Sequence, residues 1–114
     1  MAVTITTRKA GDVTIVYIAG RITIGEGSIA LRDTLRELFA SGNAGVILNL
    51  SGVSNIDSSG IGELVSGFTT ARHHGRSLKL LGLSKRVRDL LQMTGVYRIF
   101  EVYDDEARAI SSFK

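Results

Sequence analysis

Four small polar residues, Asp57-Ser58-Ser59-Gly60, separate two incompatible hydrophobic rhythms. Before them runs Val46-Ile47-Leu48-Asn49-Leu50, an apolar stretch that reads as a buried strand. After them Ile61, Leu64, Val65, Phe68 and Ala71 recur at spacings of three and four, the stripe of a core-facing helix. The tetrapeptide therefore marks a strand-to-helix junction, the unit from which α/β folds are assembled. The first N–H groups of a helix have no intrahelical partner and lie at the positive end of its dipole, so such a junction attracts anions. A serine placed there can carry a phosphate without unfolding its helix. Asp and Ser are also favoured caps, so a purely structural role competes with this reading. Two hydroxyls and a carboxylate exceed the needs of one cap, however, and Gly60 and Gly62 each weaken the first turn by about 1 kcal/mol.

The same alternation organises the rest of the chain. Val3-Thr4-Ile5-Thr6 and Val13-Thr14-Ile15-Val16-Tyr17-Ile18 read as strands joined through Ala10-Gly11-Asp12 in a hairpin. A loop is expected from Gly25 to Ser28, with Ser28 as N-cap of a helix ending near Ala40. Leu31, Leu35, Leu38 and Phe39 form its apolar face, Ser41-Gly42-Asn43 stops it, and Gly45 opens the strand through Leu50. Arg72, His73 and His74 suit the last turn of the second helix, with Gly75 beyond it. Leu78-Lys79-Leu80-Leu81 reads as a strand. Ser84 caps a short helix with Val87, Leu90 and Leu91 inward, ended by Thr94-Gly95. Arg98-Ile99-Phe100-Glu101-Val102-Tyr103 alternates like a strand, and Asp104-Asp105-Glu106 opens a last helix to about Ser112. The predicted order is β-β-α-β-α-β-α-β-α. It implies an α/β domain with a mixed, mostly parallel sheet of about five strands and four helices, the opening hairpin supplying antiparallel edge strands.

With 114 residues, no proline, no repeat and no linker, residues 1–114 form a single domain. Cysteine is absent, which excludes disulfides and thiolate metal sites and points to the cytoplasm. The N-terminus lacks the continuous apolar core of a signal peptide, and no stretch approaches the roughly 20 residues of a membrane span, so no membrane insertion is expected. The net charge is +3. Its basic residues gather at Arg72, Arg76 and Lys79, and again at Lys85, Arg86 and Arg88, without interleaved aromatics. That pattern predicts a solvated face or a patch for an acidic protein, and no specific nucleic-acid binding. Lys85 and Arg86 break a local rule, since positive charge in a first helical turn costs about 0.3–1 kcal/mol.

Catalysis lacks its parts. A nucleophilic serine needs a base within hydrogen-bond reach, and the only histidines lie at the far end of the following helix, about 20 Å away. Adjacent on a helix, His73 and His74 point about 100° apart and make a poor metal pair. Gly60-Ile61-Gly62 has neither the third glycine of a dinucleotide fingerprint nor the Gly-Lys-Ser/Thr of a P-loop. The expectation is a protein that is not an enzyme and uses no cofactor or metal.

Val46-Ile47-Leu48-Asn49-Leu50 followed by Ile56-Asp57-Ser58-Ser59-Gly60-Ile61-Gly62 resembles the signature of STAS domains, specifically bacterial anti-sigma factor antagonists. Gly20-Arg21-Ile22, Leu78-Lys79-Leu80 and Val87-Arg88-Asp89-Leu90-Leu91 extend the resemblance over nearly the whole chain. It implies that Ser58, the first serine after the aspartate, is phosphorylated by an ATP-dependent anti-sigma factor serine kinase. It further implies that the unphosphorylated form captures that kinase and frees a sigma factor, and that a serine phosphatase resets the switch. Asp57, Ser59 and Gly60 would shape the switch loop. Thr23, Gly25, Glu26 and Ser28, with Gly62, Glu63 and Ser66 on the outer face of the helix, would form the partner surface. One departure stands out: where relatives commonly read Gly-x-x-Asp beside the motif, this chain has Thr23, and Glu26 is the carboxylate nearest in sequence. Two rival readings remain. One is a STAS subunit of a transporter or signalling complex, stably associated and unmodified. The other is a nucleotide-binding or hydrolytic domain, which would bind or turn over nucleotide on its own.

Overall fold

A computed structural model describes residues 3–42 and 45–113. Strands β1 (Val3–Ala10) and β2 (Val13–Ile22) form the hairpin, and α1 (Glu26–Ala40) leads to β3 (Gly45–Ile56) and α2 (Ser58–His73). Then follow β4 (Ser77–Leu81), α3 (Lys85–Met93), a 3-10 turn (Val96–Ile99), β5 (Val102–Tyr103) and α4 (Glu106–Ser111). The predicted order of elements is the observed one. Among the described residues the sheet has five strands in the order β1-β2-β3-β4-β5. Only β1 runs antiparallel to its neighbour, so the hairpin adds one antiparallel edge strand rather than two.

Strand periodicity assigns the two faces of the sheet. Val16, Ile18, Val46, Leu48, Leu50, Leu78 and Leu80 meet Leu31, Leu35 and Phe39 of α1, Leu64 and Ala71 of α2, and Val87 and Leu91 of α3 in the main core. Each of these Val, Leu, Ile and Phe side chains contributes roughly 1.5–3 kcal/mol by leaving water. Val13, Ile15, Ile47 and Leu81 point the other way, against Ala109 of α4. In the expected stripe of α2, Leu64 and Ala71 are buried, while Ile61 and Phe68 are part-buried against the core. Val65 is half-buried and stands outside it.

Three expectations need correction. Strand β3 does not stop at Leu50; Ser51 to Ile56 stay extended because Ala19, Gly20, Arg21 and Ile22 of β2 continue to pair with them. The alternating segment from Arg98 to Tyr103 yields only a two-residue strand. Val96 and Tyr97, adjacent in sequence, both pack against the main core, and Arg88 holds the Tyr97 hydroxyl at 2.9 Å. That turn continues through Ile99 and leaves Val102 and Tyr103 to pair with Leu80 and Leu81. Finally, Ser28 is not an N-cap. Helix α1 starts at Glu26, after Gly25 with φ 97°, a conformation that favours glycine. Asn43, expected in the stop of α1, lies outside the described residues.

Candidate functional site

The site is built where β2 and β3 both end. Ile22 pairs with Ile56, and the next residue of each chain segment turns away from the sheet. Asp57, in extended backbone, caps α2. Its Oδ1 accepts from the backbone N–H of Ser59 at 3.0 Å and of Gly60 at 3.1 Å, and from the Ser59 hydroxyl at 2.6 Å. Its Oδ2 accepts from the backbone N–H of Ile24 at 2.9 Å. One carboxylate thus ties the start of α2 to the loop after β2. Donation by Ser59 above all, then by Ile24, holds the Asp57 carboxyl at about 2, below its ordinary range.

The two serines of the motif differ sharply. Ser59 is half-buried and its hydroxyl is committed to Asp57. Ser58 is exposed, and its hydroxyl takes part in no hydrogen bond among the described residues. The first turn of α2 carries no acidic residue; the negative charge at the positive end of its dipole comes from the Asp57 cap, whose carboxylate accepts from the Ser59 and Gly60 N–H groups.

Glycine at position 60 has a steric reason. A Cβ there would stand 2.3 Å from the Ile22 carbonyl oxygen and 2.7 Å from Ile56 Cγ1. Gly27 is similar, with the Arg21 carbonyl oxygen 2.2 Å from a built Cβ, so both helices press their first turns onto the end of β2. Gly62 is exposed, and a Cβ there would meet nothing within 4 Å. Glycine is not required there by packing.

The expected partner residues separate into two groups. Gly25, Glu26, Gly62 and Ser66 are exposed, and Thr23 and Glu63 are half-buried. Ser28 is buried, with its N–H on the Thr23 carbonyl at 3.1 Å and its hydroxyl on the Gly25 carbonyl at 3.4 Å. Ser28 therefore closes the first turn of α1 and offers nothing to a partner. Glu26 makes no ion pair or hydrogen bond among the described residues, and the group that meets Asp57 from this loop is the backbone of Ile24. Ile24 lies within the loop expected to meet a partner but is not singled out by sequence. Its side chain is 82% exposed beside the motif, and an isoleucine between Thr23 and Gly25 was the available signal. Ile29, one turn into α1, is 46% exposed.

Of the basic residues expected on a solvated face, Arg72, Lys85 and Arg86 are exposed, Arg76 and Arg88 are half-buried, and Lys79 departs from the expectation. Lys79 is buried, with its Nζ donating to the Ser112 carbonyl at 3.2 Å and hydroxyl at 2.9 Å, and pairing with Glu101 at 3.2 Å. Lys85 pairs with Asp89 one turn on, Arg86 donates to the Asn55 side chain at 3.3 Å, and Arg88 pairs with Asp104. His73 ends α2 and His74 caps it, about 22 Å from Ser58 at 1.5 Å per residue. Among the described residues no cluster of His, Cys, Asp or Glu has the make-up of a metal site, and no helix is long and apolar enough to cross a membrane.

An α/β domain with an exposed serine at a capped strand-to-helix junction matches the STAS domain profile over residues 4–109. The chain is 37% identical over 87 residues to the anti-sigma-B factor antagonist of Bacillus subtilis (strain 168), covering 76% of this chain and 78% of that protein. It is 26% identical over 69 residues to the anti-sigma F factor antagonist of Paenibacillus polymyxa, covering 60% of this chain but only 59% of that relative. The crystal structure of an anti-sigma factor antagonist from Mycobacterium paratuberculosis superposes with a TM-score of 0.85 at 18% identity, covering 98% of this chain and 94% of that one. The chain belongs to the STAS domain family, among its anti-sigma factor antagonists.

Proposed function

We propose that this chain is a phosphorylation-switched antagonist: unphosphorylated, it captures an anti-sigma factor kinase and so releases a sigma factor. The observation that carries the reading is the contrast within the motif, a free and exposed Ser58 hydroxyl beside a Ser59 hydroxyl locked onto Asp57. A kinase needs an acceptor oxygen that can approach ATP, and Ser58 offers one. A phosphate there adds about −1.5 to −2 charge, which a helix N-terminus tolerates and a surface fitted to a neutral hydroxyl does not. The exposed Ile24, Gly25, Glu26, Gly62 and Ser66 join that hydroxyl in the proposed contact surface, and a separate phosphatase resets the switch. Exposed Ile24 supplies the apolar anchor that such interfaces place at their centre.

The test is incubation with ATP and a histidine-kinase-like ATPase encoded beside this protein, followed by phosphopeptide mapping. One phosphate is expected, on Ser58, abolished by Ser58→Ala and retained in Ser59→Ala. Full phosphorylation of Ser58→Ala would overturn the assignment.

A further inference from the structure

The far end of α2 holds a second feature. A surface cavity of 440 Å³ opens between the last turns of α2, the start of β4 and the chain around Ile99 to Glu101. It exists because β5 is cut short: pairing with β4 begins only at Leu80, and the residues that would extend β5 backward form the 3-10 turn instead. Its size falls within the range of small-molecule sites, about 300–1,000 Å³.

Its lining has an uneven charge balance. Glu101 accepts from the Tyr103 hydroxyl at 2.6 Å and pairs with Lys79 at 3.2 Å, and the Tyr103 donation above all, then Lys79, holds its carboxyl below the ordinary range. Arg72 and Arg76 have no carboxylate partner among the described residues. The Arg72 guanidinium lies 5.7 Å from the centre of the Phe68 ring, and Arg76 gives one N–H to the Phe39 carbonyl at 3.3 Å. Each guanidinium has five N–H donors, so most remain unused. The exposed Ser77 also lines the cavity, and Phe68, Leu78 and Ile99 supply the apolar wall, with Ile99 41% exposed.

We infer that this cavity binds a small oxyanion carried on an apolar body, with Arg72 and Arg76 holding the anionic group and Phe68, Leu78 and Ile99 the body. Planar guanidinium forks favour carboxylate and phosphate alike, so the shared chemistry is the oxyanion. The site lies about 15–21 Å along α2 from Ser58, counted to Phe68 and Arg72, and the inference stands whether or not that serine is modified.

The probes are 1-naphthoate and 1-naphthyl phosphate, which separate the two sources of oxyanion, with 1-naphthalenemethanol as the uncharged control. Binding to the full chain is followed by calorimetry and by amide shifts in NMR spectra. One or both anions should bind saturably, with Kd of about 1 mM or tighter, and shift amides of residues 76–79 and 99–101. The alcohol should bind at least about tenfold more weakly, and Arg72→Gln with Arg76→Gln should weaken the anions by a similar factor. Should the double variant fold poorly, Ile99→Asp, an exposed change that places a carboxylate at the mouth, must weaken the anions equally. No saturable binding of either anion, equal binding of the alcohol, or affinity unchanged in the variants would overturn the site.

Discussion

Two strand-to-helix junctions follow the C-terminal ends of the neighbouring parallel strands β3 and β4, and they are built differently. At the β3–α2 junction the cap is a carboxylate that accepts four hydrogen bonds, and the following turn holds only Ser58, Ser59 and glycine before Ile61. At the β4–α3 junction the cap is Ser84, which accepts a single bond from the Val87 N–H at 3.3 Å. Its first turn carries Lys85 and Arg86, cations at the positive end of a dipole. The second junction makes that arrangement tolerable by giving Lys85 to Asp89 and Arg86 to Asn55 across the gap. The first junction sets the Asp57 carboxylate at the positive end of its dipole and leaves the Ser58 hydroxyl free. Ser84 caps its helix with one neutral oxygen, whereas Asp57 also reaches the Ile24 N–H and so ties the loop after β2 to the start of α2.

The largest effect expected of a single change is on packing at the first junction. Gly60→Ala drives a methyl group into the Ile22 carbonyl and Ile56, and since one contact is backbone, relief requires α2 to lift from the sheet. Overpacking of this kind costs about 1–3 kcal/mol, and a loss at or above the upper end is expected in chemical denaturation. A loss below about 0.5 kcal/mol would mean that the junction is loose and the comparison overdrawn.

Ile24 sharpens the contrast from the surface. Its side chain is nearly free of the fold, so Ile24→Ser should change stability by less than about 0.5 kcal/mol. Affinity for the proposed kinase should nevertheless fall about tenfold or more, equivalent to about 1.4 kcal/mol, in a calorimetric titration. Equal affinity would place the contact surface elsewhere. Gly62→Ala is smaller and opposite in sign for the fold. With open space around a built Cβ, it should stabilise α2 by about 0.5–1 kcal/mol in the same denaturation experiment.

The pH dependence follows from Asp57. Its carboxyl is lowered in the fold from 3.8 to about 2, so the unfolded chain takes up its proton first as pH falls. The stabilisation from this group is complete above the unfolded value and disappears between about pH 4 and pH 2. The stability difference between the native chain and Asp57→Asn should therefore be flat above about pH 5 and shrink through that window. A difference that instead grew on acidification would remove the carboxylate from its place at the junction.

Element order was legible because hydrophobic period changes at every boundary, from two in the strands to three and four in the helices. What escaped depended on partners distant in sequence. Ser51 to Asn55 look like a turn, and only pairing with Ala19 to Ile22 keeps them extended. The alternation from Arg98 onward is genuine, but Tyr97 and Val96 are drawn into the core and shorten the strand. Ser28 has the residue type of a cap, yet Gly25 and Gly27 allow α1 to begin one turn earlier. In the site, the motif itself could be read directly. The Ile24 N–H on Asp57 could not, because it joins residues 33 apart through backbone rather than side-chain chemistry.

The most direct measurement takes the protein phosphorylated on Ser58, with Ser58→Asp and Ser58→Glu beside it, and determines stability and kinase affinity on the same samples. Negative charge at the start of α2 should leave the fold within about 1 kcal/mol of the native value, or slightly more stable. Affinity should fall by about 2 kcal/mol or more, with phosphate acting more strongly than either carboxylate. Unchanged affinity in the phosphorylated protein would contradict the switch, and a large loss of stability would make Ser58 a structural cap.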